Sequence, residues 1–272
     1  MIDPRQLATV LEEVGSLTQR AGDAILATVE SLGEIEEKAD GSPVTRADRA
    51  ANDVIVEGLR GLDPSLTIVS EEGDVERTLK EAGSLYWLVD PLDGTKEFIK
   101  GRPEYTVNVA LVEDGVPILG AIQVPVSGRL YLGARGVGAR RVDAGVATPL
   151  APDSVDQPRT AVVSRSHLTA PTEDFLKRLG ITETAPCGSS LKICAVAEGR
   201  AHIYPRFGPT CLWDTAAGSA IATVAGCAAV DLSGKPLRYD PTGNIKHPGF
   251  LIAAPGGCLE ACRPALLAAS AD

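Results

Sequence analysis

The sequence predicts a mixed fold, an α+β first half followed by an α/β second half, and three observations carry that reading. Residues 5–29 place Leu7, Val10, Leu11, Val14, Leu17, Ala21, Ile25 and Val29 at helical spacing, the signature of a long amphipathic helix. Residues 106–135 alternate β-rich runs with turn signals, as antiparallel hairpins do. From Thr160 onward, strand-like and helical segments follow one another in turn.

The elements follow in order. After the first helix, a second is expected from about Arg46 to Leu59. Leu66 to Ser70 reads as a strand ending at Glu71 and Glu72, and Leu85 to Val89 as another ending at Asp90, with Pro91 and Gly94 breaking any element that would continue. Three β-rich runs come next, Thr106 to Val112, Ile118 to Val124 and Arg129 to Leu132, with turns at Glu113-Asp114-Gly115 and Ser127-Gly128. Residues 144–158 are rich in Pro, Ala and polar residues without periodicity, and mark a connection between an N-terminal half, 1–145, and a C-terminal half, 158–272. Beyond it lie a strand at 160–164, a helix at 190–199, a strand at 201–204, a helix at 213–226 and a strand at 250–255. The chain contains no internal repeat.

Composition narrows the function classes. With 272 residues, 44% of them hydrophobic, the chain can build one substantial core or two fused smaller ones. Its start carries acids and helical periodicity instead of a basic segment with an apolar core, and no apolar run approaches about 18 residues, so a cytoplasmic protein without a transmembrane segment is expected. Peripheral association with the inner face of a membrane stays open, as does oligomeric state. The six cysteines form no CxxC pair and have no histidine cluster beside them, which reads as free thiols in a reducing compartment rather than a zinc site. A net charge of −10 disfavours nucleic-acid polymers as partners. A small anionic substrate remains compatible where a bound cation reverses the local field.

The chemistry concentrates in acids placed at element ends: Glu71, Asp90, Asp93 and Asp214. Like charges a few ångströms apart need a cation, and oxygen-only ligation without His or Cys points to a hard one, Mg²⁺ where the substrate carries phosphate. The turn forced by Pro91 can add the Leu92 carbonyl as a ligand. Asp93-Gly94-Thr95-Lys96-Glu97-Phe98 reads as a loop opening a helix, where Gly94 admits close approach of a ligand and the helix start favours phosphate. Two cations about 4 Å apart would hold a phosphoryl group and activate water. Singly, these acids have plainer readings: Asp48 lies at capping-box spacing from Thr45, Asp214 stands at a helix start, and Glu71 and Glu72 follow a strand. Their ordered combination favours the metal site.

That combination, Asp48, Glu71-Glu72, Asp90-Pro-Leu-Asp-Gly-Thr95 and Trp213-Asp214, resembles the lithium-sensitive, magnesium-dependent phosphatases that include inositol monophosphatases, fructose-1,6-bisphosphatases and 3′(2′),5′-bisphosphate nucleotidases. The resemblance spans nearly the whole chain and implies a layered αβαβα sandwich. It departs at Gly226-Cys227, where the family usually has Gly-Gly. Carried over, it implies a first metal on Glu71, Asp90 and the Leu92 carbonyl, a second on Asp90, Asp93 and Asp214, and a weaker third leaning on Glu71. It further implies a water oriented by Thr95 with either Glu71 or Asp48, and a phosphate on the amides of Gly94 and Thr95.

Within the family, Gly188-Ser189-Ser190-Leu191-Lys192 and Tyr204-Pro205-Arg206-Phe207 resemble the bacterial bisphosphate-nucleotidase branch, with Lys96 as a further marker. That branch removes the 3′-phosphate of 3′-phosphoadenosine 5′-phosphate, a by-product of sulfate assimilation, and in some cases acts on phosphoadenosine phosphosulfate. Lys192 and Arg206 suit the substrate's second phosphate, Arg through a bidentate fork and Lys as a point charge. Against this stand plainer readings, helix capping for Ser189 and Ser190 and a solvated surface for the two cations. The rival functions are an inositol monophosphatase or sugar bisphosphatase, and a metal- or nucleotide-binding protein without turnover.

Overall fold

A computed structural model of the chain describes residues 2–29, 36–37, 43–165 and 168–269. Helix α1 (Pro4–Ala27) starts at an Asp3 cap with Pro at its first position and buries Leu7, Leu11, Val14, Leu17, Ala21 and Ile25 of the predicted stripe, while Val10 is half-buried and Val29 lies exposed beyond the helix end. A short ladder of β1 (Glu36–Glu37) and β2 (Pro43–Val44) leads into α2 (Arg46–Leu62). Then follow β3 (Thr67–Ser70), α3 (Val75–Glu81), β4 (Leu85–Asp93), the single turn α4 (Thr95–Ile99), and the meander β5 (Thr106–Glu113), β6 (Val116–Val124), β7 (Arg129–Ala134), β8 (Gly138–Asp143) and β9 (Val146–Pro149). These seven strands form one sheet in sequence order, with β3 parallel to β4 and every later neighbour antiparallel.

The remaining elements are β10 (Thr160–Ser164), α5 (Ala170–Arg178), β11 (Glu183–Cys187), α6 (Leu191–Ala197), β12 (Ile203–Cys211), α7 (Leu212–Val224), β13 (Ala228–Asp231), β14 (Lys246–Ala253) and α8 (Cys258–Ala269). They build a second sheet in the order β11-β10-β12-β14-β13.

Three apolar clusters show the layering. One joins α1 and α2 to one face of the large sheet, and a second fills the space between the two sheets around α6 and α7. A third lies between the small sheet and α5 with α8. The result is the αβαβα sandwich the sequence implied. Helix α7 follows the small-sheet strand β12 yet packs closely on the large sheet, because Gly120 faces it: a Cβ there would sit 2.2 Å from the Ala217 carbonyl oxygen.

Two expectations need correction. Residues 146–149, read as part of the connection, form β9, an exposed edge strand, so the irregular segment begins only at Leu150. Pro91 does not end its strand: β4 runs on to Asp93 through a β-bulge, in which three steps from Asp90 to Asp93 match two on β5, from Asn108 to Thr106. Pro is tolerated there because a bulge leaves a residue out of the hydrogen-bond ladder.

Candidate active site

A cleft of about 300 Å³ opens where strand ends of the large sheet meet α6, α7 and the end of β12. Of the acids singled out from the sequence, Glu71, Asp90, Asp93 and Asp214 line it, together with Leu92, Gly94, Thr95, Ser189, Ser190, Lys192 and Arg206; Glu72 does not, and Asp48 lies directly behind. Glu71 follows β3, and its N–H donates to the Val89 carbonyl across the parallel pair at 3.1 Å, which fixes the chain beside β4. Asp90 is almost wholly buried and accepts the Leu92 N–H at 3.0 Å, so the bulge also sets the direction of this carboxylate. Asp214 comes from the first turn of α7 and accepts the Cys211 N–H at 3.2 Å. It is both a capping residue and a lining acid, so the two readings are not exclusive.

Carboxylate oxygens of Glu71, Asp90 and Asp214, from three separate elements, lie within 4.8 Å of one another. Asp93 stands outside that trio but close enough for its charge to act on Asp90 and Asp214. Burial first, and the neighbouring carboxylates second, hold Asp90 well above the usual carboxylate range, with the same causes acting on Asp214. Asp93 is pushed up to about 6 by burial, opposed by the Lys192 ammonium and a hydrogen bond from the Ser190 N–H. Such mutual repulsion is what a bound divalent cation relieves, and an all-oxygen donor set without His or Cys fits a hard one.

Behind the acids, the Thr95 hydroxyl lies 3.0 Å from Asp48 Oδ1 and 3.2 Å from the Leu92 carbonyl. Asp48 is itself locked: its Oδ2 accepts the Thr45 N–H and hydroxyl, each at 2.7 Å, in the capping box of α2. The structural and chemical readings of Asp48 are thus two oxygens of one carboxylate. Gly94 has φ of +97°, in the left-handed region, and a Cβ there would meet the Glu104 carbonyl oxygen at 3.1 Å. It turns the backbone from β4 into α4, whose first N–H groups lack helical partners.

The opposite wall is cationic. Lys192 is buried rather than solvated, and its Nζ donates to the Ser189 and Cys187 carbonyls at 2.5 and 3.4 Å above the Tyr204 ring. Arg206 is half-buried and uses Nε on the Thr210 hydroxyl at 3.2 Å. Ser190 occupies the N-cap position of α6 without a side-chain capping bond; its hydroxyl instead meets Thr106 at 2.9 Å and Asn108 at 2.8 Å, tying the two halves together. Ser189 holds a left-handed φ of +44°. Sequence reasoning passed over Arg165, which also lines the cleft. It directly follows β10, and the strand-end logic applied to the acids would have found it.

A sequence profile of the inositol monophosphatase family matches residues 6–265. The chain is 46% identical over 246 residues to the 3′(2′),5′-bisphosphate nucleotidase CysQ of Escherichia coli K12, covering 90% of this chain and 99% of that one. To the enzyme of the same name from Buchnera aphidicola it is 37% identical over 249 residues, 90% and 94% of the two chains. The crystal structure of CysQ from Bacteroides thetaiotaomicron superposes with a TM-score of 0.79 at 38% identity, covering 90% of this chain and 97% of that one.

Proposed function

This chain belongs to the inositol monophosphatase family, and we propose that it is a metal-dependent 3′(2′),5′-bisphosphate nucleotidase that hydrolyses the 3′-phosphate of 3′-phosphoadenosine 5′-phosphate to AMP and phosphate. The observation that carries the reading is one cleft with two walls of opposite charge, Glu71, Asp90, Asp93 and Asp214 facing Lys192 and Arg206. A substrate with two phosphates needs both walls: one phosphate at the acids through bound cations, the other at the fixed positive charges. Phosphoadenosine phosphosulfate has the same two-ended charge and is a candidate second substrate.

Glu71, Asp90 and the Leu92 carbonyl would hold one Mg²⁺, and Asp90, Asp93 and Asp214 a second, with a weaker third leaning on Glu71. Divalent cations held there would supply charge neutralisation of the phosphate, a lowered water pKa and stabilisation of the leaving oxygen. The chain's own part begins at Thr95. Its hydroxyl proton goes toward Asp48, which leaves an oxygen lone pair to accept a hydrogen bond from the attacking water. Of the two acids open to that role, the 3.0 Å contact favours Asp48 over Glu71. The water oxygen bonds to phosphorus as the bond to the 3′-oxygen breaks; of the two water protons one stays on the released phosphate and the other ends on the 3′-oxygen, which leaves as a hydroxyl. The amides of Gly94 and Thr95 cradle the phosphate at the turn into α4. Lys192 spends two N–H groups on carbonyls and keeps a third for the cleft, while Arg206 keeps both Nη groups for the second phosphate.

No helix among the described residues is long and apolar enough to cross a membrane, and a cytoplasmic site of action is part of this proposal. The test is phosphate release with Mg²⁺, comparing kcat/KM for 3′-phosphoadenosine 5′-phosphate, inositol 1-phosphate and fructose 1,6-bisphosphate. A preference for the nucleotide of at least about a hundredfold, roughly 2.7 kcal/mol of transition-state discrimination, is expected. Equal or better turnover of inositol 1-phosphate would overturn the substrate assignment.

A further inference from the structure

The segment from Cys187 to Ser190 belongs to the C-terminal half, yet it supplies three contacts at the acid site: the Ser190 N–H on Asp93, and the Cys187 and Ser189 carbonyls that fix the Lys192 ammonium near it. Within its own half the segment is tied to the end of β10, where the Arg165 N–H donates to the Cys187 carbonyl at 3.3 Å, and a further hold comes from the other half. Glu104, just before β5, accepts the Gly188 N–H at 3.1 Å on Oε2. The same carboxylate takes a two-pronged ion pair from Arg165, Nε to Oε2 at 2.9 Å and Nη2 to Oε1 at 2.7 Å, while Nη2 also reaches the Pro186 carbonyl at 3.1 Å. Thus Glu104 and Arg165 grip the backbone on either side of Cys187, at the Gly188 N–H and the Pro186 carbonyl.

A partly exposed ion pair contributes little to global stability. Arg165 and Glu104 keep 37% and 24% of their side-chain surface, so stability does not account for a fork that closes on a loop backbone. We propose that Glu104 and Arg165 are positioning residues, which set the affinity of the acid site for its cation by holding the Gly188–Ser190 backbone against Asp93. The proposal rests on the metal-dependent reading above. Neither residue contacts the acids themselves; both act through the segment. Residues one hydrogen bond behind a ligand set change metal affinity by about 10–100-fold. One step further back, a loss of about fivefold or more is expected.

The experiment is a Mg²⁺ titration of the metal-free protein without substrate, followed by tryptophan fluorescence, since Trp213 adjoins Asp214 and lines the cleft. Glu104→Gln keeps an acceptor for the Gly188 N–H but removes the charge. It should raise the Mg²⁺ dissociation constant at least about fivefold, with a melting temperature in EDTA within about 2 °C of wild type. Arg165→Met should do the same, the double variant should add nothing further, and Arg165→Lys should recover part of the loss. Should Glu104→Gln fail to fold, Arg165→Met carries the same expectation from the exposed partner. Dissociation constants within twofold of wild type in the variants that fold, or losses that add in the double variant, would overturn the proposal. A wild-type chain that binds no Mg²⁺ would overturn the metal reading beneath it instead. Because no nucleotide is present, a wrong substrate assignment does not affect the result.

Discussion

Replacing Asp93 by Asn should make the metal-free protein more stable and enzymatically dead. The carboxyl moves from its ordinary 3.8 to about 6 in the fold. Between those two values the folded chain keeps a proton that the unfolded chain has released, so the Asp93 contribution to stability is full below pH 3.8 and is lost as pH rises through 6. Two pH units correspond to about 3 kcal/mol. Water in the cleft reaches Asp93, so we discount this to about 2 kcal/mol. For 272 residues the unfolding entropy is near 0.6 kcal/mol/K, which converts that deficit to about 3–4 °C. In EDTA at pH 8, Asp93→Asn should therefore melt about 3–4 °C above wild type, with the gap closing toward pH 4. Asn still offers the Ser190 N–H an acceptor, so the gain is not offset by an orphaned amide. In Mg²⁺ the order should reverse, because wild type gains cation binding and the variant loses a ligand, and phosphate release should fall to background. Equal melting temperatures in EDTA at both pH values, or a variant that keeps turnover, would refute the account of a site held under charge repulsion for its metal.

Two further predictions probe other parts of the molecule. Thr95→Ala should lower kcat by about 10²–10⁴-fold with KM changed little, while Thr95→Ser keeps most activity; equal losses in both variants would mean that the hydroxyl is not the working group. His247 packs edge-on to Tyr239 at 4.9 Å, its buried Nε2 has no hydrogen-bond partner among the described residues, and burial pushes its pKa down to about 4. Acid therefore favours the unfolded chain, and stability falls as pH drops from 6.5 toward 4, by about 2 kcal/mol at pH 5. Because the raised carboxyls of the cleft shift stability the other way over the same range, the reading is the difference: between pH 7 and pH 5, denaturant melts of wild type should lose about 2 kcal/mol relative to His247→Phe, and equal pH changes in the two proteins would sink the assignment.

Legibility in the sequence divided along a physical line. The long helix, the hairpin meander and the acids at strand ends were legible because each rests on local periodicity or on a turn residue with one use. The short elements β8, β9, α5 and β11 were not. β9 and most of β11 are exposed, so neither alternates between a buried and a solvated face, and Pro149 and Pro186 sit within them as only edge strands allow. Helix α5 is only nine residues, although Thr169 before Ala170-Pro171 was a usable start signal. The bulge in β4 was hidden by the same Pro91 that was taken to end the strand. The states of Lys192 and Ser190 were beyond local reading altogether: carbonyls at 187 and 189 decide that the lysine is buried, and Thr106 and Asn108, more than eighty residues away, decide where the serine hydroxyl goes.

The same distinction explains why the site lies at the seam of the two halves. Three of the four acids are held by a local backbone bond, Glu71 by the β3–β4 pair, Asp90 by its bulge and Asp214 by the start of α7, while Asp93 takes its bond from Ser190 across the seam. Local structure thus aims the carboxylates, but it cannot bring them together, since α7 lies more than a hundred residues beyond β4. Close packing of α7 over Gly120 does that. An acid cluster that repels itself would separate if its elements were free to slide, and burying one apolar core between both sheets prevents this. The fold therefore supplies the stability that the cluster subtracts. It follows that filling Gly120 should disperse the acids even though that residue touches none of them.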